Sequence, residues 1–151
     1  MIKLKGLVKL DIYDVNGKLK DTTGWLENTI TKTGLAQIAL LAGDASAVPF
    51  TYLAVGTDST AAANTQTALV AEITDTGLER AAATVSRVTT TETNDTLQLV
   101  KTWTASGSKT VEEIGIFNAA STGTMLGRKV TGSKALSNGE TLTATYKVSF
   151  A

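Results

Sequence analysis

The sequence predicts a single mainly-β domain, an antiparallel β-sandwich or barrel carrying one short α-helix over about residues 31–42. Three observations predict it. Threonine fills 27 of the 151 positions, and a β-branched side chain with a stiff χ1 suits a pleated surface while its hydroxyl keeps an outer sheet face wet. Both ends of the chain alternate apolar and polar residues with period two. Between them, apolar runs recur at sandwich-like spacing, separated by turn signals. A hydrophobic fraction of 42% fills one core of ordinary size, so residues 1–151 read as one domain, with no dividing linker and no fixed-period repeat.

From Ile2 to Ile12 the even positions Ile2, Leu4, Val8, Leu10 and Ile12 are apolar, while Lys3, Lys5, Lys9 and Asp11 take most of the odd ones. This is a half-buried strand. Asn16-Gly17 then supplies the positive φ values of a type I′ turn, so a strand from near Lys18 should return antiparallel to the first. Between Thr29 and Gly43, Thr31 or Thr33 can cap a helix. Leu35, Ile38 and Leu41, with Ala39 and Ala42, form its apolar stripe, and Gly43 can end it in the left-handed region. The helix should cover the sheet. After Pro49, the run Phe50–Val55 reads as a core strand closed by Gly56-Thr57-Asp58. Ser59–Thr65 reads as an exposed loop, and Thr65 or Thr67 could cap a single helical turn through Ala68, Leu69 and Glu72. Five further strands are expected over Leu78–Val88, Thr96–Ala105, Thr110–Phe117, Thr124–Val130 and Thr141–Phe150. The last puts Leu142, Ala144, Tyr146, Val148 and Phe150 on one face and Thr141, Thr143, Thr145, Lys147 and Ser149 on the other. Leu97, Leu99 and Trp103 give the Thr96 strand a similar apolar face, with Lys101 expected to snorkel near a rim.

Composition narrows the chemistry. The chain has no histidine and no cysteine, which removes imidazole bases, thiol nucleophiles and zinc- or copper-type sites. Fourteen basic residues balance fourteen acidic ones, so neither a nucleic-acid groove nor an anionic membrane surface is indicated. Met1–Leu10 is interrupted by Lys3, Lys5 and Lys9 and lacks the apolar run of a signal peptide or spanning helix, so synthesis and folding in a cytoplasm are expected, without membrane insertion. No catalytic, cofactor-binding or metal-ligating residue is assigned, and no cofactor is implied.

Several local motifs bear on chemistry. Glu112 and Glu113 could serve as a glycosidase pair, but adjacent strand residues face opposite ways. An edge or rim position, where one of them caps backbone or pairs with a lysine, is the plainer account. Asp11, Asp14, Asp44, Asp58 and Asp75 lack the spacing of a calcium loop. Gly56-Thr57-Asp58-Ser59 lacks the lysine and second glycine of a phosphate loop and reads as a turn. Trp25 and Trp103 could stack on a sugar, although an isolated tryptophan in a small β domain is more often core. Arg80, Arg87, Arg128 and the lysines, without interleaved aromatics, read as solvated surface.

Four segments occur in a telling order: Tyr52-Leu-Ala-Val-Gly-Thr57, Thr65-Gln-Thr-Ala-Leu-Val-Ala-Glu-Ile73, Val111-Glu-Glu-Ile-Gly-Ile-Phe117 and Gly123-Thr-Met-Leu-Gly-Arg128. This order resembles tailed-bacteriophage virion proteins of the tail-fibre and tail-collar kind, and Asn28-Thr-Ile-Thr-Lys-Thr-Gly34-Leu-Ala resembles the short helix entrance those proteins carry. The likeness spans about residues 28–150. Asp58 departs from it by standing where the pattern has a second glycine, and a small standalone component is expected rather than a complete fibre with a long shaft. The resemblance implies a small, non-enzymatic virion structural protein, either a head decoration (cement) protein or a tail appendage. Its partners would be other copies of itself and major capsid or tail proteins. The first or the C-terminal strand is expected to meet a neighbouring subunit. The alternative is a receptor- or carbohydrate-binding module of a tail fibre, presenting loops Ala45–Phe50, Asp58–Thr65 and Thr89–Asp95 to a host-surface glycan.

Overall fold

The computed structural model describes residues 3–151, so Met1 and Ile2 of the first expected strand lie outside the described residues. The chain is mainly β, with 46% of residues in strands and 8% in helix. Among the described residues, eleven strands and one helix occur in the order β1 (Lys5–Tyr13), β2 (Leu19–Thr22), β3 (Leu26–Glu27), β4 (Thr29–Ile30), α1 (Lys32–Gly43), β5 (Tyr52–Gly56), β6 (Ala81–Ala82), β7 (Thr84–Val88), β8 (Thr96–Thr104), β9 (Lys109–Phe117), β10 (Met125–Leu136) and β11 (Thr141–Ser149). The first sheet runs β2-β1-β11-β8-β7 with β3 also on β1, and the second runs β4-β10-β9-β5-β6. All pairings are antiparallel.

Period-two alternation sets the core. Val8, Leu10 and Ile12 of β1 face inward beside Leu142, Ala144, Tyr146 and Val148 of β11, joined by Leu99 and Trp103 of β8. Opposite them stand Leu53 and Val55 of β5, Ile114 and Ile116 of β9, and Leu126 of β10. The second sheet is also covered on its outer face. There Ala54, Phe117 and Met125 pack with Leu69, which comes from the irregular segment 57–73. Strands covered on both faces lose alternation and read as continuous apolar runs, as β5 and the end of β9 do.

Two corners tie the sheets together. β3 pairs with β1 of the first sheet and β4 with β10 of the second, so the chain changes sheets at Asn28. β6 pairs with β5 and β7 with β8, so it changes back at Ala83, whose N–H donates to Thr51 O at 2.9 Å. A sandwich corner is made this way, by one extended segment serving both layers. Asn28 is the tighter of the two. Its N–H donates to Gly6 O at 3.1 Å, and its Nδ2 donates to the Tyr146 hydroxyl. Its side chain occupies the space that a Cβ on Gly6 or on Gly127 would need. Burial pushes the Tyr146 hydroxyl well above the ordinary tyrosine range, so it stays neutral and serves only as a hydrogen-bonding group.

Several expectations are corrected. The first hairpin forms, but Asn16 does not take the positive φ of a type I′ turn; only Gly17 does, at 79°. Asp14 O accepts from Gly17 N–H at 3.0 Å, and Asp14 Oδ1 accepts from Asn16 and Lys18 N–H. This is a type I turn with a following left-handed glycine, the usual three-residue hairpin loop. Thr31 caps α1 by accepting from Gly34 N–H at 2.9 Å. Gly43, however, stays helical, and Asp44 ends the helix in extended geometry. The buried face of α1 is led by Gly34 with Ile38 and Leu41, whereas Leu35, Ala39 and Ala42 are exposed. A Cβ at Gly34 would lie 2.6 Å from Leu126 Cα, so close approach of backbone, not a leucine stripe, seats the helix. The expected turn over residues 65–72 is not helical, and the strand expected over Leu78–Val88 is split by the Ala83 corner. β10 continues six residues past Val130 through a register shift at Gly132, φ 70°.

Gly127→Ala is expected to destabilise the fold by about 1–3 kcal/mol, because the added methyl overlaps both Asn28 and Tyr146. A lower urea midpoint with an unchanged slope would register it.

Candidate functional site

Glu113 lies in the middle of β9, between β10 and β5, and its side chain is fully buried. A lone carboxylate there needs partners. Glu113 Oε2 accepts from Arg128 Nε at 2.6 Å and from Val70 N–H at 3.2 Å, and Oε1 accepts from Ala71 N–H at 2.8 Å. Arg128, also fully buried, donates through Nη1 to Thr60 O at 2.7 Å and to Gln66 Oε1 at 3.2 Å. Its Nη2 has no hydrogen-bond partner, and Asp58 Oδ1 stands 3.8 Å away. Asp58 Oδ1 in turn accepts from Thr60 N–H. The Thr60 hydrogen bonds hold the Asp58 carboxyl below the ordinary range, so it stays charged. Gly56 permits the approach, since a Cβ there would meet Glu113 Oε1 and Ala71 O.

A second arginine repeats the arrangement nearby. Arg80 grips Glu72 in a fork, Nε to Oε1 at 2.8 Å and Nη2 to Oε2 at 2.6 Å, while Nη1 donates to Ala119 O and Thr122 O. The guanidinium carbon sits 3.6 Å from the centre of the Phe117 ring. Both arginines therefore fasten loops to the outer face of the second sheet, which corrects the reading of Arg80 and Arg128 as solvated surface. Arg87 is exposed as read. One signal could have exposed the buried pair: Glu113 opens the run Glu113–Phe117, whose other residues are apolar on both faces.

The remaining candidates separate in space. Glu112 accepts from Ser133 Oγ on the exposed side, so it and Glu113 do not share a substrate face. Neither sits at an edge, and the partner of Glu113 is an arginine. Trp103 is core, with Nε1 donating to Glu79 O at 2.8 Å. Trp25 is 45% exposed, with Lys9 Nζ 5.2 Å and Lys147 Nζ 4.8 Å from its ring centre. The aspartates act locally: Asp11 accepts from Thr22 Oγ1, Asp44 from Ser46, and Asp75 pairs with Lys109. Among the described residues, no group of three or more acidic side chains could hold a metal ion, and no helix is long and apolar enough to cross a membrane.

Two surfaces remain free of internal work. One is the outer face of the first sheet, where threonines line up across strands. In one row Thr22 bonds Asp11 at 2.6 Å and Thr102 bonds Thr143 at 2.8 Å, with Asp11 and Thr143 directly opposed. Trp25 lies beside this row. The other is an apolar cavity of about 420 Å³ between α1, β8 and the Pro49–Thr51 segment, with Val85 and Phe150 at its rim. No family model matches the chain, and neither a curated protein nor a solved structure is significantly similar to it.

Replacing Arg128 by Met is expected to cost about 3–5 kcal/mol, because it strands a buried carboxylate. Limited proteolysis should then cut first within residues 57–72. The loop between β7 and β8 should respond to acid. Asp95 accepts from the N–H groups of Thr90, Thr91 and Glu92 and from Thr96 Oγ1. These bonds, the one from Glu92 foremost, hold its carboxyl well below the ordinary carboxylate value. A depressed folded-state value means that Asp95 contributes fully above the unfolded value, near pH 4, and that the contribution falls away as pH drops towards the folded one. Asp95→Asn should flatten the acid limb of a stability-against-pH curve, while stability near pH 7 falls.

Proposed function

We propose that this chain is a bacteriophage virion structural protein, a non-enzymatic accessory component such as a head decoration protein or a small tail appendage, acting through subunit contacts. One observation carries the reading. The four segments that resemble tail-fibre and tail-collar proteins converge on the Glu113–Arg128 pair. Val111–Phe117 supplies the glutamate and Gly123–Arg128 the arginine. Thr65–Ile73 supplies Gln66 and the N–H groups of Val70 and Ala71, and Tyr52–Thr57 supplies Gly56, whose missing Cβ leaves room for the Glu113 carboxylate. The shared pattern thus serves architecture, and its charged groups are occupied in holding loops. A scaffold component of a particle needs a rigid body and contact surfaces, and the threonine face and the apolar cavity are available for contact.

Particles assembled without the chain and then supplied with it are expected to bind it in fixed copy number. If it decorates the head, heated shells should open at higher temperature with it than without, since whatever binds only the assembled state stabilises it by mass action. Immunogold label on the tail would assign the appendage role, and failure to bind any part of the particle would defeat the proposal. The second reading, a receptor- or carbohydrate-binding module, is favoured only by Trp25, an exposed ring between two lysines. It requires glycan-array binding that Trp25→Ala abolishes with the melting temperature unchanged; Trp103, being core, cannot serve in that test.

A further inference from the structure

Among the described residues the two sheets have four edges, one of them shared by β2 and the two-residue β3, and three of these edges are blunted. β4 and β6 are two residues long. β2 lies across a register shift between Ile12 and Tyr13, and its Lys20 and Asp21 are tied to Glu140 and Lys134. Short length, bulges and charge are the usual means of preventing unwanted strand pairing. β7 has neither very short length nor a bulge, and its one charge is Arg87. It is five residues long, pairs with β8 without a register shift, and contains no proline or lysine. Thr84, Val85, Ser86 and Arg87 are exposed, and among the described residues nothing pairs with its outer side. Alternate residues of β7 therefore turn backbone N–H and C=O groups outward with no partner in the chain. The apolar cavity borders the same strand. Val85, 44% exposed, and Phe150, 39% exposed, form its rim.

We infer that β7 pairs antiparallel with β7 of a second copy of this chain, about a two-fold axis at Ser86, joining the two β2-β1-β11-β8-β7 sheets into one. What a free strand edge lacks is another strand edge, and the sequence of β7 suits itself in one register. Directly opposed residues must lie on the same sheet face, so the axis passes through a residue. An axis at Arg87 would oppose two guanidinium groups. An axis at Val85 would run the pairing into Ala83, whose N–H is already given to Thr51 O. An axis at Ser86 pairs all five residues, Thr84 with Val88 and Val85 with Arg87, and leaves the two arginines a diagonal apart. The aliphatic stem of Arg87 then covers Val85 of the other copy beside the cavity. The expected first and C-terminal strands are unsuited to edge pairing, because β11 lies between β1 and β8, and β1 is flanked by β11 on one side and by β2 and β3 on the other.

This deepens the reading above only in naming how copies meet, and its test is independent of particle binding. The chain has no cysteine, so Ser86→Cys introduces a single thiol. A two-fold axis at residue 86 brings the two Cα atoms within disulfide range. Mild oxidation should convert Ser86→Cys, but not Thr143→Cys at the middle of the same sheet face, into a covalent dimer. Light scattering should show a dimer whose dissociation constant rises about tenfold or more in Val85→Lys, which sets a lysine against each Arg87. An oligomer that resists Val85→Lys, together with a Ser86→Cys variant that stays unlinked, would overturn this interface while leaving a virion role intact. A folded monomer at every concentration would overturn both the interface and self-association. Particle binding by such a monomer would still uphold the virion role.

Discussion

The fold depends on a buried ion pair whose main work is to satisfy backbone. A carboxylate and a guanidinium in a protein interior lose hydration that their mutual attraction barely restores, so such a pair is poor evidence of stability by itself. Here the balance differs. The segment 57–73 has almost no regular structure, yet it covers the outer face of β5, β9 and β10 and inserts Leu69 against Phe117 and Met125. Covering a sheet with loop leaves backbone groups in an apolar environment, where each must find a partner. Glu113 supplies acceptors for Val70 and Ala71, and Arg128 supplies a donor for Thr60. Apolar replacements of the same volume would fill the space but orphan those groups.

The same logic explains why the chain needs two such arginines. Arg80 answers the carbonyls of Ala119 and Thr122 in the turn between β9 and β10, and stacks on Phe117 while Glu72 neutralises it. Each guanidinium offers five donors in a fixed fork, suited to collecting several acceptors from loops that lack a ladder of their own. Lysine at either place could balance the charge but could not reach the same set of oxygens.

Strands covered on one face were legible in the sequence, and this is a matter of period. β1 and β11 alternate cleanly because one side meets the core and the other water, and their register puts Val8 beside Tyr146 and Leu10 beside Ala144 as the pattern implies. The corners were not legible. Asn28 and Ala83 carry no turn signal; they lie within extended chain, and what changes is which sheet supplies the partner. The helix was found but its buried face was misread, because a count of leucines cannot show that a glycine makes the closest contact with Leu126. Arg128 was misread for a related reason: arginine is seldom buried unless paired, and its partner lies 15 residues away on a neighbouring strand. The candidate site was thus half visible, with Glu113 singled out for a pairing with Glu112 that the fold does not make.

Threonine closes the argument. In the first sheet its hydroxyls lie on the outer face, where rows such as Asp11, Thr143 and Thr102 run across strands. In the second sheet the outer face is sealed by loop. The two faces of the molecule consequently differ in kind: one is a hydrogen-bonding sheet face built from ladder register, and the other is covered by loop, with Glu113 and Arg128 buried beneath it. A sheet face of this sort ends where its last strand ends, and β7 brings it to a stop with hydrogen-bonding capacity left over. Extending the sheet by a further strand would preserve the threonine rows and the inward apolar row together, because both follow from the one alternation that runs through every strand of that sheet.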